Sequence, residues 1–150
     1  MEQRISLVTL GVRDLARARS FYEQLGWHGQ EVEETVFFQA GGQALVLWGR
    51  EKLAADVGVG DGVGDDDGAC SFGGIALAHN VRSVEEVDRV MSVAAEAGAT
   101  VTRPPGPTFY GGYAGCFRDP DGHVWEIACN PGLPLDDAGQ LTVPDFGATP

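Results

Sequence analysis

The 150-residue sequence has few basic residues and few cysteines. Its 10 Lys and Arg residues stand against 22 Asp and Glu residues, which gives a formal net charge of −12. A protein this acidic repels the phosphates of nucleic acids and the headgroups of anionic lipids, so neither is an expected partner. The same charge favours small-molecule ligands that are neutral or cationic.

Long apolar runs are also missing. No run approaches the ~18 residues that a transmembrane helix needs, and residues 1–4 do not begin a signal peptide. The three cysteines, Cys70, Cys116 and Cys129, are too few and too irregularly spaced for a disulfide framework or a zinc site. We therefore expect a cytoplasmic protein with reduced cysteines.

Two motifs of common catalytic sites are missing as well. The sequence has no phosphate loop of the form G-x-x-x-x-G-K followed by Ser or Thr, and no Ser or Cys stands in a nucleophile elbow. Glycine is plentiful, but the glycines from Gly58 to Gly64 lie among aspartates, which would repel a phosphate. Neither nucleotide binding nor serine or cysteine nucleophile chemistry is indicated.

Composition divides the chain into four segments. Residues 1–50 and 72–130 show the regular apolar periodicity of folded modules. Residues 51–71 are acidic and rich in Gly and Asp, which predicts a linker, and residues 131–150 combine prolines with a lack of basic residues, which predicts an irregular tail.

The two periodic segments begin with the same pattern, which indicates an internal duplication. In the first, alternation over residues 7–12 predicts a strand, and Asp14 stands at the N-cap of a helix that Gly26 ends. In the second, a strand around Leu77 precedes a capping box at Ser83, and the following helix ends at Gly98.

Strand-like runs follow each helix. The turn between them is Gly41-Gly42 in the first segment and Asp-Pro-Asp-Gly, residues 119–122, in the second. His123 follows this second turn and is expected to be a solvated turn residue. Each segment therefore predicts a β-α-β-β-β module, and the fold class is α+β, with two modules forming a curved mixed sheet around a cup-like cavity and helices on the outer face.

Two stretches of the chain resemble a known family. Residues 7–18, LVTLGVRDLARA, and residues 117–127, FRDPDGHVWEI, resemble the opening and closing parts of the vicinal oxygen chelate superfamily, which includes glyoxalase I, extradiol dioxygenases and bleomycin-resistance proteins. The resemblance covers residues 5–130 and implies the two-module fold and a homodimer. Activity does not follow from it, since one fold hosts many chemistries.

The resemblance also implies where a metal would be bound. Metal-using members of the superfamily have four inward-facing ligands, and the corresponding positions here are Leu7, approximately Leu47, Gly74 and Glu126. Of these four, only Glu126 has a donor atom, which is too few for a tight divalent site. We therefore expect a member of a branch that binds no metal and needs no cofactor.

Glu126 is the one carboxylate predicted inside a strand. Its neighbours Trp125 and Ile127 point to the other side, and Trp125, like Trp48, is predicted to face the helix. In an apolar cup, desolvation would prepare Glu126 for general acid/base work, with Thr9 as the nearest candidate partner. The alternative is a carboxylate that anchors the cup through hydrogen bonds.

A segment rich in proline and glycine carries three aromatic residues. Phe109, Tyr110 and Tyr113 form a composition suited to clamping a flat ligand, although they are equally consistent with a loop that closes the sheet edge. Phe38 is predicted to add to the cup wall, unless Phe37 is the residue that faces inward.

The leading interpretation is a glyoxalase/bleomycin-resistance-like protein that binds a small, partly aromatic molecule in a metal-free cup. The alternatives are a metal-free isomerase, epimerase or lyase that uses Glu126 as acid or base, and a metal-dependent glyoxalase-like lyase with ligands at other positions. Glu126 is the candidate catalytic residue, and the candidate ligand-binding residues are Leu7, Thr9, Phe38, Leu47, Gly74, Phe109, Tyr110 and Tyr113.

Overall fold

A computed structural model describes residues 5–56 and 75–141 of the chain. Cys70 and Gly74 lie outside these ranges. In chain order the elements are β1 (Leu7–Val12), α1 (Leu15–Gln24), β2 (Gly29–Val32), β3 (Thr35–Ala40), β4 (Gln43–Gly49), α2 (Arg50–Asp56), β5 (Ala76–Asn80), α3 (Val84–Glu96), β6 (Thr100–Pro107), β7 (Tyr113–Arg118) and β8 (Val124–Cys129).

These elements form two compact units. The first holds the described residues up to Ile75 together with the turn Asp119–His123, and the second holds Ala76–Arg118 and the residues from Val124 onward. Each unit has one four-stranded mixed sheet and the predicted β-α-β-β-β order, so the two-module α+β class is confirmed. Within the described ranges, no helix has the length and apolar character that a membrane crossing requires.

The first unit has the strand order β1-β4-β3-β2, with β1 parallel to β4 and the other pairs antiparallel. Helix α1 begins where the sequence predicts, because the Asp14 carboxylate accepts a hydrogen bond of 2.9 Å from the backbone N–H of Arg17. It ends before Gly26, whose φ of +90° is strained for any residue with a Cβ.

The second unit has the strand order β5-β8-β7-β6, with β5 parallel to β8. Helix α3 begins at the predicted cap, where the Ser83 hydroxyl accepts a hydrogen bond of 3.2 Å from the backbone N–H of Glu86. The Glu86 carboxylate bonds back to the N–H of Arg82, one residue before the cap. Buried Val87 and Met91 pack this helix on the sheet.

Two elements differ from the composition-based expectations. Strand β6 runs through Pro104, Pro105 and Pro107, in a segment for which the sequence left a ligand clamp and an edge-closing loop as alternatives. Proline is tolerated there because β6 is an edge strand with register shifts on both sides of Arg103, so few ladder hydrogen bonds are needed. Helix α2 lies at the start of the predicted linker, residues 51–71. Residues 57–71 of that linker are outside the part of the chain that the structure describes.

The loop between β6 and β7 depends on a glycine at position 112. A Cβ at Gly112 would lie 2.6 Å from the carbonyl oxygen of Cys129 and 2.7 Å from the ring of Tyr110. Because the backbone of Cys129 cannot move away without a large energetic cost, we expect Gly112→Ala to lower the free energy of unfolding by about 1–3 kcal/mol in urea titrations. Gly106→Ala is the control, because a Cβ there meets nothing within 4 Å, and an equal loss in both variants would contradict the prediction.

Candidate functional site

The candidate site of the second unit is the sheet face opposite α3. Strand pairing places Arg103 of β6 beside Cys116 of β7, and Cys116 beside Glu126 of β8. Paired residues share a face, so these three side chains form one row across the sheet. Trp125 and Ile127, which flank Glu126, point to the α3 side and are 7% and 2% exposed.

Glu126 in this row is held by a cation. The Arg103 Nη2 donates a hydrogen bond of 2.8 Å to Glu126 Oε1 and one of 3.3 Å to Cys116 Sγ. The hydrogen bond to Cys116 and the negative charge of Glu126 raise the pKa of Arg103, so its guanidinium stays charged. The sequence predicts Thr9 as the nearest candidate partner of Glu126, whereas the ion pair within this unit is with Arg103, which no local pattern indicates.

The first unit has an apolar face opposite α1. Thr9 of β1 pairs with Val46 of β4, and Val46 pairs with Phe37 of β3, so these side chains form a row. Leu7 and Trp48 lie on the same face by alternation. Leu7 and Phe37 are 48% and 37% exposed, which leaves an apolar surface that α1 does not cover.

Three sequence predictions place residues on the wrong side of this sheet. Leu47 pairs with Leu10 and Val36 and is fully buried on the α1 side. Phe38 is also on the α1 side, where its ring lies 5.7 Å from that of Tyr22. Trp48 lies on the opposite side, away from the helix.

The physical reason for these errors is the register of the sheet. Because side chains alternate with a period of two, an offset of one residue exchanges the two faces. Alternation along a strand shows that two faces exist, but only the pairing of β1 with β4 decides which one meets the helix. Val46 and Phe37 therefore take the places predicted for Leu47 and Phe38.

The three aromatic residues of the β6–β7 segment do not form one surface. Phe109 is fully exposed, Tyr110 is 37% exposed, and their rings meet edge to face at 5.2 Å. Tyr113 lies on the α3 side, where its hydroxyl donates a hydrogen bond of 3.0 Å to Asp88, which raises the pKa of Tyr113. The three rings are therefore not arranged to clamp one ligand between them.

The first unit contains a buried carboxylate that the sequence pattern does not indicate. Asp119 is 4% exposed, and its Oδ2 accepts hydrogen bonds of 2.7 Å from the Tyr22 hydroxyl and 2.9 Å from His123 Nδ1. Its Oδ1 accepts from the backbone N–H groups of Asp121 and His123. His123 is therefore a partner of Asp119, and the expectation of a solvated turn residue is wrong.

Asp121 of the same turn is also buried, at 6% exposure. Its Oδ1 accepts from the backbone N–H of Arg13 at 2.9 Å and from Arg17 Nη2 at 3.2 Å. Both acids of the Asp-Pro-Asp-Gly turn thus bind elements of the first unit, whereas the sequence indicated only turn formation. One signal was available, because a tyrosine on the apolar face of a predicted helix needs a partner for its hydroxyl.

The donor set of the described residues does not fit the divalent metal whose ligand positions the resemblance implies. Within residues 5–56 and 75–141, no group of three or more His, Cys, Asp or Glu side chains could hold an ion. Glu126, the one donor among the four corresponding positions, is bonded to a guanidinium, and a cation beside it would meet the charge of Arg103.

Comparisons with known proteins agree with this fold. The family model described as Glyoxalase/Bleomycin resistance protein/Dioxygenase superfamily matches residues 4–127. A glyoxalase-related enzyme from Fulvimarina pelagi is 38% identical, with a TM-score of 0.81 over 94% of this chain and 98% of that chain. A comparison with proteins of curated function found no match.

Two further solved structures are similar in fold alone. Lactoylglutathione lyase from Agrobacterium tumefaciens is 22% identical, with a TM-score of 0.61 over 85% of this chain and 93% of that chain. Fosfomycin resistance protein FosX from Mesorhizobium loti is 21% identical, with a TM-score of 0.62 over 87% and 94%. On the evidence of the family model and of its 38% identical relative, the chain belongs to the glyoxalase/bleomycin resistance protein/dioxygenase superfamily.

Proposed function

We propose that the protein binds a small, partly aromatic organic molecule on a helix-free sheet face, and that it does so without a divalent metal. The observation that carries this proposal is the pair formed by Arg103 and Glu126 at 2.8 Å. Among the four positions that correspond to metal ligands in metal-using members of the superfamily, only Glu126 has a donor atom, and this pair occupies that position. Binding there depends on shape, stacking and fixed side-chain charges.

The helix-free face of the first unit supports the aromatic part of this proposal. Phe37 and Leu7 are partly exposed on it, and Trp48 and Val46 share the face. Small-molecule sites are mainly lined by apolar and aromatic side chains with a few polar groups that orient the ligand. A flat, apolar ring is the kind of ligand that such a surface accepts.

Calorimetric titration with paired aromatic acids and amides tests this proposal. The probes are benzoate, phenylacetate, 2-naphthoate and indole-3-acetate with their amides, each titrated with and without EDTA. We expect binding by at least one probe, with a Kd that EDTA does not change. The metal-dependent alternative predicts that EDTA weakens binding about tenfold or more and that a stoichiometric divalent ion restores it.

A matched pair of variants locates the binding surface. Phe37 is 37% exposed on the helix-free face, and Val84 is 40% exposed on α3. We expect Phe37→Ala to weaken probe binding by about tenfold, as the loss of a stacking contact does, while Val84→Ala leaves the Kd unchanged. Equal Kd values in both variants would contradict the assignment of this face.

A second candidate function is metal-free proton transfer. Glu126 is one-third exposed and is oriented by Arg103, which is the arrangement of an accessible, positioned acid or base. The 38% identical relative is a glyoxalase-related enzyme. If Glu126 transfers protons, an arylacetate bound in heavy water should exchange its α-hydrogen for deuterium. NMR measures this exchange.

Glu126→Gln separates binding from catalysis. If the protein is an enzyme, this variant loses exchange by about 10²–10⁴-fold while its Kd for the arylacetate stays within a few-fold of the wild type. If no bound probe exchanges in the wild type, the binding function stands alone.

We also propose that the protein is a homodimer. Support comes from the family, many of whose members pair their modules. Sedimentation velocity tests the assembly, because a dimer sediments with twice the monomer mass, and a single monomeric species at micromolar concentration would contradict it.

A further inference from the structure

We infer that the ligand carries an anionic group, a carboxylate or a similar oxyanion, and that Arg103 binds it. This inference rests on the proposed function and names the ligand chemistry of the helix-free face of the second unit. It reverses the expectation of a neutral or cationic ligand, which was drawn from the charge of the whole chain.

Arg103 has hydrogen-bond donors that its contacts with Glu126 and Cys116 do not use. A guanidinium has five N–H donors. Both contacts of Arg103, to Glu126 and to Cys116, are made by Nη2. Within the described residues Nε and Nη1 donate to no partner, and the side chain is 49% exposed. These donors are therefore accessible to a ligand on this face.

The charged side chains on this face differ from the average of the acidic chain. Along strands β5 to β8, the helix-free face holds three charged residues, Arg103, Arg118 and Glu126. Arg118 lies on this face because it is two residues from Cys116 on β7. The whole chain has a net charge of −12. Charges beyond about 8 Å are largely screened at physiological salt, so a ligand on this face responds to the side chains beside it more than to the net charge of the chain.

Glu126 positions the guanidinium of Arg103. The carboxylate holds the Arg103 side chain in one place, since an ion pair of 2.8 Å fixes the position of Nη2. A positioned guanidinium loses less conformational entropy when an anion binds than a free one does. Hydrogen bonds from charged donors to oxyanions are also stronger than those to neutral acceptors. The pair therefore favours an oxyanion over a neutral amide of the same shape.

The test compares acids with their own amides. Each probe pair above differs only in the anionic group, and we expect the wild type to bind the acid about tenfold more tightly than the amide. This preference should fall at high salt. Arg103→Gln should remove the preference, Arg103→Lys should keep part of it, and Arg89→Gln, the same charge change on the exposed side of α3, should leave it intact.

The outcomes separate this inference from the proposed function. Amides that bind as tightly as their acids, or an acid preference that survives in Arg103→Gln, would overturn the inference and leave the proposed binding function standing. If neither acids nor amides bind, the proposed function itself is overturned. If circular dichroism shows that Arg103→Gln does not fold, the acid-to-amide ratio of the wild type and its salt dependence decide the question.

Discussion

Asp119→Ala is expected to lower the free energy of unfolding by about 3–5 kcal/mol, because it removes the acceptor from a buried hydrogen-bond network. The Asp119 side chain is 1% exposed and accepts bonds from Tyr22, from the His123 ring and from two backbone N–H groups. Without the carboxylate these donors stay buried with no acceptor. Urea titration followed by circular dichroism measures the loss.

The same carboxylate makes stability depend on pH. Burial by itself would raise the pKa of Asp119, but the hydrogen bonds and charge of His123 and the bond from Tyr22 outweigh it, so the pKa lies below its ordinary value of 3.8. A carboxylate with a lowered folded-state pKa contributes stability above the unfolded pKa and loses it as pH falls through the folded pKa. We expect the free energy of unfolding to fall below pH 3.8 and Asp119→Asn to lack this part of the fall.

Two further variants control for these effects. Tyr22→Phe removes one donor and should cost about 1–2 kcal/mol, less than the loss of the carboxylate. Asp137→Ala removes an exposed acid whose side chain has no hydrogen bond among the described residues, and it should leave stability unchanged. A network with no energetic role would show the same stability in Asp119→Ala and Asp137→Ala.

Leu47→Ala is expected to cost about 2–5 kcal/mol, the second large effect. Leu47 is fully buried between Leu10 and Val36 on the α1 side, so truncation leaves a cavity in the core of the first unit. Leu7 is 48% exposed on the opposite face, and Leu7→Ala should change stability by about 0.5 kcal/mol or less. Thermal and urea unfolding of the two variants provide the comparison.

This pair of variants also tests the register of β1 against β4. If the sheet were offset by one residue, Leu47 would lie on the helix-free face and its truncation would be as mild as that of Leu7. Similar losses of stability in the two variants would therefore contradict the pairing of Leu10 with Leu47.

Local signals predicted most of the regular elements. Asp14 and Ser83 cap α1 and α3 through their own side chains, and Gly26 and Gly98 follow the helix ends with positive φ. Each of these effects acts over a few residues, so a single sequence contains all the information needed.

Contacts between distant residues account for what was missed. Arg103 is 23 positions from Glu126 in the sequence. Its edge strand, β6, contains prolines, which are more typical of a loop than of a strand. Tyr22 is 97 positions from Asp119, so a turn motif and a helix motif gave no sign that they meet. Residue 74 lies outside the described range that starts at Ile75, so the prediction made for it stays a prediction.

By itself the sequence determined the two-module α+β class, the capped helices and the turns, because propensity and periodicity act over short distances. The tertiary structure decided which face of each sheet meets a helix, since an offset of one residue exchanges the faces without changing the pattern. It also decided that Glu126 has Arg103 as its partner and that Asp119 is buried. The overall charge of −12 does not predict the surroundings of Glu126 or Asp119, because each carboxylate responds to the few charges and donors that folding places within a few ångströms.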